Sequence, residues 1–266
     1  MAYTPYPLGL IETENPCIAV SHDGLNWETP LGLENPISNQ PSNGYNSDTH
    51  LVYDAKKDRL ELWWRPYDFD LHDSVCRSVS DNGISWSTPE TVIDYKEISG
   101  LVLSPAVWIK DNKYHLIYSN GSKLKYINVD YDSKEWNWSE PVTLPIALND
   151  LRAWHQDVIF DDEGNLEVVF CGYEPGGNNN TADLYYVKLD KDFNASTVIL
   201  ILKRGTNEAD FDFRSIYRAS ILKINGKYFI YYSAIDIKWH RSMSLTIGDS
   251  IDHLRGITKK TFVNAY

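Results

Sequence analysis

A four-fold internal repeat constrains this chain more than any other feature. Four segments each begin with a short apolar strand, turn at Asp, Asn or Lys, and return as a second strand rich in aromatic residues. They are SDTHLVYDAKKDRLELWWRP (47–66), SPAVWIKDNKYHLIYSN (104–120), WHQDVIFDDEGNLEVVFCG (154–172) and IYRASILKINGKYFIYYSA (216–234). Aligning the turns brings Asp48, Pro105, His155 and Arg218 to one equivalent position, at spacings of 57, 50 and 63 residues. Each unit then continues into a third and a fourth strand, as in DSVCRSVS followed by SWSTPETVI. Four antiparallel strands in a unit of roughly 50 residues match a propeller blade. No stretch carries the 3.6-residue periodicity and caps of a helix.

Ahead of the first full unit, MAYTPYP, NPCIAVS and NWETP read as the second, third and fourth strands of a blade whose first strand is missing. The chain is therefore expected to be all-β, a five-bladed β-propeller of four-stranded antiparallel blades. A single domain over residues 1–266 would carry blades at about 1–46, 47–98, 99–148, 149–207 and 208–266, the first incomplete at the N-terminus. A missing strand leaves a sheet edge unpaired, which invites aggregation. Either the C-terminal ITKKTFVNAY supplies it, through residues 260–266, or the chain is a piece of a longer protein. The second reading is favoured, because the initiating Met stands where a second strand should begin.

Composition narrows the partners. A net charge of -12 argues against nucleic acid as the main ligand, since nothing here would neutralise a phosphate ladder. No apolar run approaches the ~20 residues that span a bilayer, so no membrane partner is expected. The opening MAYTPYPLGLIETENP has neither a basic nor an apolar leader region, hence no signal peptide. The 9 Trp and 18 Tyr against 8 Phe suit sheet cores and sugar-stacking surfaces alike. Cys17, Cys76 and Cys171 lack CxxC spacing and read as small buried hydrophobes. There is no GxGxxG, P-loop, HExxH or GxSxG. No cofactor or metal is expected on that basis, although a Ca²⁺ on a propeller axis, held by carboxylates and water, is compatible with the class.

Innermost strands begin at the mouth of a propeller, and residues two apart on a strand share a face. That selects Asp48, His50, Ser104, His155, Asp157 and Arg218 as ligand-binding candidates, with Trp154, Arg214 and Tyr217 beside them. Each also has a plain structural reading. Asp48 would cap a turn, His50 and His155 would be satisfied interior histidines, and Arg218 would pair Asp157. In an enzyme, Asp48 and Asp157 would be the catalytic carboxylates.

Two turns are alike, Ser21-His-Asp-Gly-Leu-Asn-Trp27 and Ser80-Asp-Asn-Gly-Ile-Ser-Trp86. They resemble the Asp-box hairpins of sialidases and other carbohydrate-active propellers, which brace the blade rim. The Ser104-Pro-Ala-Val-Trp108 run, the blade period and the aromatic second strands resemble glycoside hydrolase family 43. That family's pattern implies an Asp base, a second Asp that tunes a Glu acid, and the acid at a later strand start. Here the starts read Asn15-Pro16, Asp48-Thr49, Pro105-Ala106, His155-Gln156 and Arg218-Ala219, so the acid is absent and Ala106 replaces the tuning Asp.

Ala2-Tyr-Thr-Pro-Tyr-Pro7, Glu14-Asn-Pro16, the Ser21–Trp27 turn and Asp48-Thr-His-Leu-Val-Tyr53 resemble a second family. It comprises the propeller platforms of receptor-binding proteins in the tails of phages that infect Gram-positive bacteria. This resemblance implies a carbohydrate-binding module of a virion tail, or an extracellular one, rather than an enzyme. Its partner would be a host cell-wall polysaccharide or teichoic acid, and it would form a homotrimer through a stem outside this chain. Arg152, Arg214 and Arg218 would supply phosphate contacts. The alternative is a family 43-like glycoside hydrolase acting on a plant or bacterial polysaccharide.

Overall fold

β-Branched and aromatic residues fill the repeat, and they suit pleated surfaces packed on both faces. The computed structural model describes residues 1–257 except 71, 95 and 97–99. Strands dominate, and the helices among the described residues are three 3-10 turns of three residues each. The N-terminal strands are β1 (Ala2–Tyr3) and β2 (Cys17–Ile18). The next group is β3 (Gly44–Asp54), β4 (Arg59–Asp68), β5 (His72–Asp73), β6 (Val75–Ser80) and β7 (Glu90–Ile93). It is followed by β8 (Leu103–Lys110), β9 (Lys113–Ser119), β10 (Leu124–Asp130) and β11 (Val142–Thr143). Then come β12 (Arg152–Phe160), β13 (Leu166–Tyr173), β14 (Asp183–Leu189) and β15 (Ile199–Leu202). The last group is β16 (Ser215–Ile224), β17 (Lys227–Ile235), β18 (Arg241–Gly248) and β19 (Arg255–Ile257).

These strands form four antiparallel blades, ordered β3-β4-β6-β7 with β5 beside β4, β8-β9-β10-β11, β12-β13-β14-β15 and β16-β17-β18-β19. The expected count of five is corrected to four. The N-terminal residues build only the β1–β2 ladder and a bridge from Val20 to Glu28. Pro30, Pro36 and Pro41 in this segment each lack the N–H that a ladder would use. The exposed edge is nevertheless covered. Asn35 Oδ1 accepts from the Ile18 amide at 2.9 Å, and its Nδ2 donates to the Ile18 carbonyl at 3.0 Å. The Ile37 amide donates to Pro16 O at 2.7 Å. One side-chain amide thus stands in for a strand's peptide group. Completion of this segment by residues 260–266 lies outside the described residues.

The chain divides into two compact units, Met1–Asn120 with Tyr126–Val142, and Gly121–Lys125 with the chain from Thr143 onward. In the first unit, Trp63, Tyr114, Ile127 and Tyr131 are buried in one core with Trp136 and Trp138 packed against it. Trp63 meets Trp136 edge-on at 5.7 Å, an arrangement the ring quadrupoles favour. Ile18, Leu33, Leu62 and Trp64 form a smaller cluster that anchors the N-terminal segment. The second unit centres on Val169, Leu184, Ile216, Ile221 and Ile230. Most tryptophan thus serves packing.

A polar clasp recurs inside both units. Glu61 on β4 accepts from the Tyr114 hydroxyl at 3.0 Å and from Arg59 and Arg77. Glu167 on β13 accepts from the Tyr186 and Tyr228 hydroxyls at 2.6 and 2.7 Å. Burial, then the adjacent glutamate, raises the pKa of all three phenols, so they remain donors. The two Asp-box-like turns are braced as their residues suggest. Asp23 Oδ1 accepts from the Leu25 and Asn26 amides, and Asn82 Oδ1 from those of Ile84 and Ser85.

Candidate functional site

Every blade bulges at the same place on its innermost strand. The register jumps between Ser47 and His50, between Leu103 and Ala106, between Ala153 and Gln156, and between Tyr217 and Ala219. Two residues therefore oppose one at Asp48-Thr49, Ser104-Pro105, Trp154-His155 and Arg218-Ala219. Asp48, Ser104, Trp154 and Arg218 each lie six residues before the end of their strand. They are the equivalent positions, so aligning the turns had displaced Pro105 and His155 by one residue. A bulge bends the strand and re-aims a side chain, which is why bulges gather beside active sites. Asp48, Ser104 and Arg218 adopt left-handed φ values of 59°, 50° and 47° within strands. The remaining non-glycine residues in that region lie at turns and loops. Such backbone costs on the order of 1–3 kcal/mol and is held by its surroundings.

In the first unit those surroundings centre on Arg65. Its Nε lies 2.9 Å from Asp48 Oδ2, and its Nη1 lies 2.6 Å from Asp73 Oδ1. Each carboxylate also accepts a backbone amide, Asp48 from Ser104 at 3.1 Å and Asp73 from Val102 at 3.0 Å. Asp48 and Asp73 are 3% exposed and Arg65 6%. Burial opposes the guanidinium charge, but Asp48 and Asp73 outweigh it and raise the Arg65 pKa. The Tyr45 and Tyr67 rings lie 5.8 and 5.6 Å from the guanidinium carbon. The structure thus brings Asp48 and Ser104 together. It directs His50 elsewhere, to the Val107 carbonyl at 3.0 Å, a tie between β3 and β8.

In the second unit the bulges collect aromatic rings. The His155 ring meets Tyr217 edge-on at 4.5 Å, and Trp154 lies 6.1 Å from His155 and 6.3 Å from Tyr173. The Trp154 indole N–H is buried and makes no hydrogen bond among the described residues. An orphaned buried donor costs about 1–3 kcal/mol, which a ligand's acceptor would recover. Asp157 is a strand tie, accepting from Ser220 Oγ at 2.8 Å and the Ile221 amide at 3.0 Å. Arg218 contributes the left-handed bulge residue of β16. Arg214 turns away from this group, donating through Nε to Ile237 O and lying 4.2 Å from the Trp239 ring.

Arg65 and Asp73 were not among the candidates. A cation between the apolar run Leu62–Trp64 and Pro66 is the signal for Arg65. Nothing local marks Asp73, whose partner Arg65 lies on β4, the strand that pairs with β5. Among the described residues, no cluster of three or more His, Cys, Asp or Glu is arranged to hold a metal ion.

No protein-family model matches the chain. In sequence it is 26% identical to an A type blood N-acetyl-α-D-galactosamine deacetylase of Flavonifractor plautii, over 66% of this chain and 29% of that protein. It therefore spans less than a third of that relative's length. A crystal structure of an N-acetylgalactosamine deacetylase from F. plautii, in complex with blood group B trisaccharide, superposes with a TM-score of 0.76. That match is 22% identical and covers 88% of this chain and 75% of the other. An α-L-arabinofuranosidase of family 43 from Clostridium thermocellum follows at 0.59, with 16% identity over 82% and 75%. A family 62 α-L-arabinofuranosidase from Coprinopsis cinerea gives 0.62, with 15% identity over 83% and 70%.

The chain shares its propeller fold with these structures. The expectation of a non-catalytic phage receptor-binding module is overturned by these matches, which are to enzymes. It rested on the resemblance of Ala2–Pro7, Glu14–Pro16, the Ser21–Trp27 turn and Asp48–Tyr53, and on the absent acid. A missing Glu acid argues against cleavage of a glycosidic bond. It does not argue against hydrolysis of an amide on a sugar, which needs an activated water and a stabilised oxyanion.

Proposed function

We propose that this chain is part of a hydrolase that removes the acetyl group from an N-acetylated amino sugar. The sequence match to the deacetylase is the observation that supports this reaction class. In the proposed reaction, water attacks the acetyl carbonyl carbon, the C–N bond breaks, acetate departs and the sugar amine takes the proton. Within the first unit, Asp48 is assigned to accept the proton of the attacking water. Arg65 is a positioning residue that fixes Asp48 through the 2.9 Å ion pair. Within the second unit, Trp154 and Tyr217 are assigned faces for a sugar ring, and the orphaned Trp154 N–H a contact with a sugar acceptor.

Glycoside hydrolysis is the second reading, favoured by the arabinofuranosidase neighbours. It requires a proton-donating acid opposite a carboxylate. The first-unit group offers arginine-paired carboxylates instead. Product analysis after incubation with an α-N-acetylgalactosamine-terminated trisaccharide separates the two. Free acetate and an intact but de-N-acetylated trisaccharide are expected. Release of N-acetylated monosaccharide would transfer the assignment to glycoside hydrolysis, and unchanged substrate would contradict both.

A further inference from the structure

The second unit holds a cavity of about 430 Å³ that the proposed deacetylation does not use. Thr181, Lys203, Arg204, Gly205, Phe213 and Arg214 line it. Three cations around one hollow are unexpected in a chain with 25 basic and 37 acidic side chains. We propose that this cavity binds the oxyanion of an acidic sugar substituent, a carboxylate or a phosphate.

Arg214 is the anchor. Its Nε is engaged by Ile237 O at 3.1 Å, and its plane is supported by the Trp239 ring at 4.2 Å. Its two terminal nitrogens make no hydrogen bond among the described residues. A guanidinium held at one edge and one face is a fixed two-donor fork, the geometry that grips an oxyanion bidentately. Trp239 is itself held in the left-handed region, at φ 69°, with its amide donating to Asp236 O at 3.1 Å.

Nearby carboxylates hold the loop that lines the cavity. Asp212 Oδ1 accepts the Gly205 amide at 3.1 Å, and Asp210 Oδ2 accepts the Asn207 amide at 3.0 Å. A Cβ at Gly205 would run into both side chains, so only glycine lets the loop close this tightly. Asp183 partners Arg204, accepting its amide at 2.8 Å with the guanidinium 3.8 Å away, and Arg204 also donates to Thr181 O. Neither Lys203 nor Arg214 makes an ion pair among the described residues. Two cations are therefore left to an incoming anion, and Phe213 supplies an apolar wall for the ring that carries it.

The inference stands independently of the deacetylase reading, because a neutral acetylated sugar would not need this cavity. Titration of the full chain while following the Trp239 indole N–H resonance, assigned by its loss in Trp239→Phe, tests it. The probes are galacturonate, glycerol phosphate and neutral methyl galactoside. Saturable shifts with a dissociation constant on the order of 1 mM are expected for an acidic probe and not for the neutral one. Galacturonate alone would assign the carboxylate, glycerol phosphate alone the phosphate, and both the shared oxyanion. Arg214→Gln should weaken binding at least ~10-fold, as one lost charge-assisted pair would. Lys203→Glu, on an exposed side chain, should weaken it without disturbing the fold. Failure of both acids to saturate, or undiminished binding by both variants, would overturn the proposal.

Discussion

Asp48 combines a left-handed backbone, near-complete burial and an ion pair. Asp tolerates that backbone better than most residues, so the position demands a short polar side chain as well as a charge. Its partner gives the sharper stability test. Arg65→Met would leave Asp48 and Asp73 buried without their cation, a loss of about 3–5 kcal/mol in denaturant unfolding. A loss under ~1 kcal/mol would show that the two carboxylates are held by backbone amides alone. His115 allows a test by pH. Its ring stacks on Trp108 at 5.1 Å, and Tyr126 lies 5.9 Å away. Burial lowers its pKa below the ordinary 6.5, only partly countered by the bond to Lys110 O. The unfolded chain then binds the proton more readily, so stability falls as pH drops below ~6.5 toward the folded value. His115→Gln should remove that part of the acid sensitivity. An unchanged difference between melting temperatures at neutral and mildly acidic pH would contradict it.

The innermost strand, with its bulge, carries the candidate residues within each unit. Its existence was legible from alternating apolar residues and the shared turns. Its register was not, because β-hairpins with loops of different length were aligned on those loops. Counting back from the strand end recovers the equivalence of Asp48, Ser104, Trp154 and Arg218. One residue of slip decides which side chain faces the site. His50 and Asp157 illustrate this, having been drawn into ties between neighbouring strands. The Glu–Tyr clasp was also written in the repeat, as Leu-Glu at 60–61 and 166–167 with Lys-Tyr at 113–114 and 227–228. Its two copies differ in their further partners. Arg77 pairs with Trp63 across its hairpin, and Tyr186 occupies the matching place opposite Val169. Glu61→Gln should therefore cost more, about 1–3 kcal/mol, because Arg59 and Arg77 each lose a charge-assisted bond and keep only Asp54 and Glu90 as carboxylate partners. Glu167→Gln should cost under ~1 kcal/mol, because an amide oxygen still accepts the phenols. Equal losses in thermal unfolding would contradict this contrast.

For the whole molecule, the repeat period identified the propeller class, while the blade count was one too high. The N-terminal segment has a blade's turn and aromatic pattern, yet it builds only the β1–β2 ladder and one bridge among the described residues. Reaction class was less legible. Sugar binders, glycoside hydrolases and sugar deacetylases share stacking rings and mouth carboxylates, and only the bond broken distinguishes their acid requirement. The net charge of -12 adds a constraint on substrate approach, favouring neutral sugars unless a local cationic site overrides the long-range field. The most direct test of the account is acetate release from an α-N-acetylgalactosamine-terminated trisaccharide, measured for the wild type and Asp48→Asn together. The account predicts acetate from the wild type and a rate lower by about 10²–10⁴ in the variant, the contribution of a positioned general base, with the fold unchanged. Equal rates in the two proteins, or no acetate from the wild type, would contradict it.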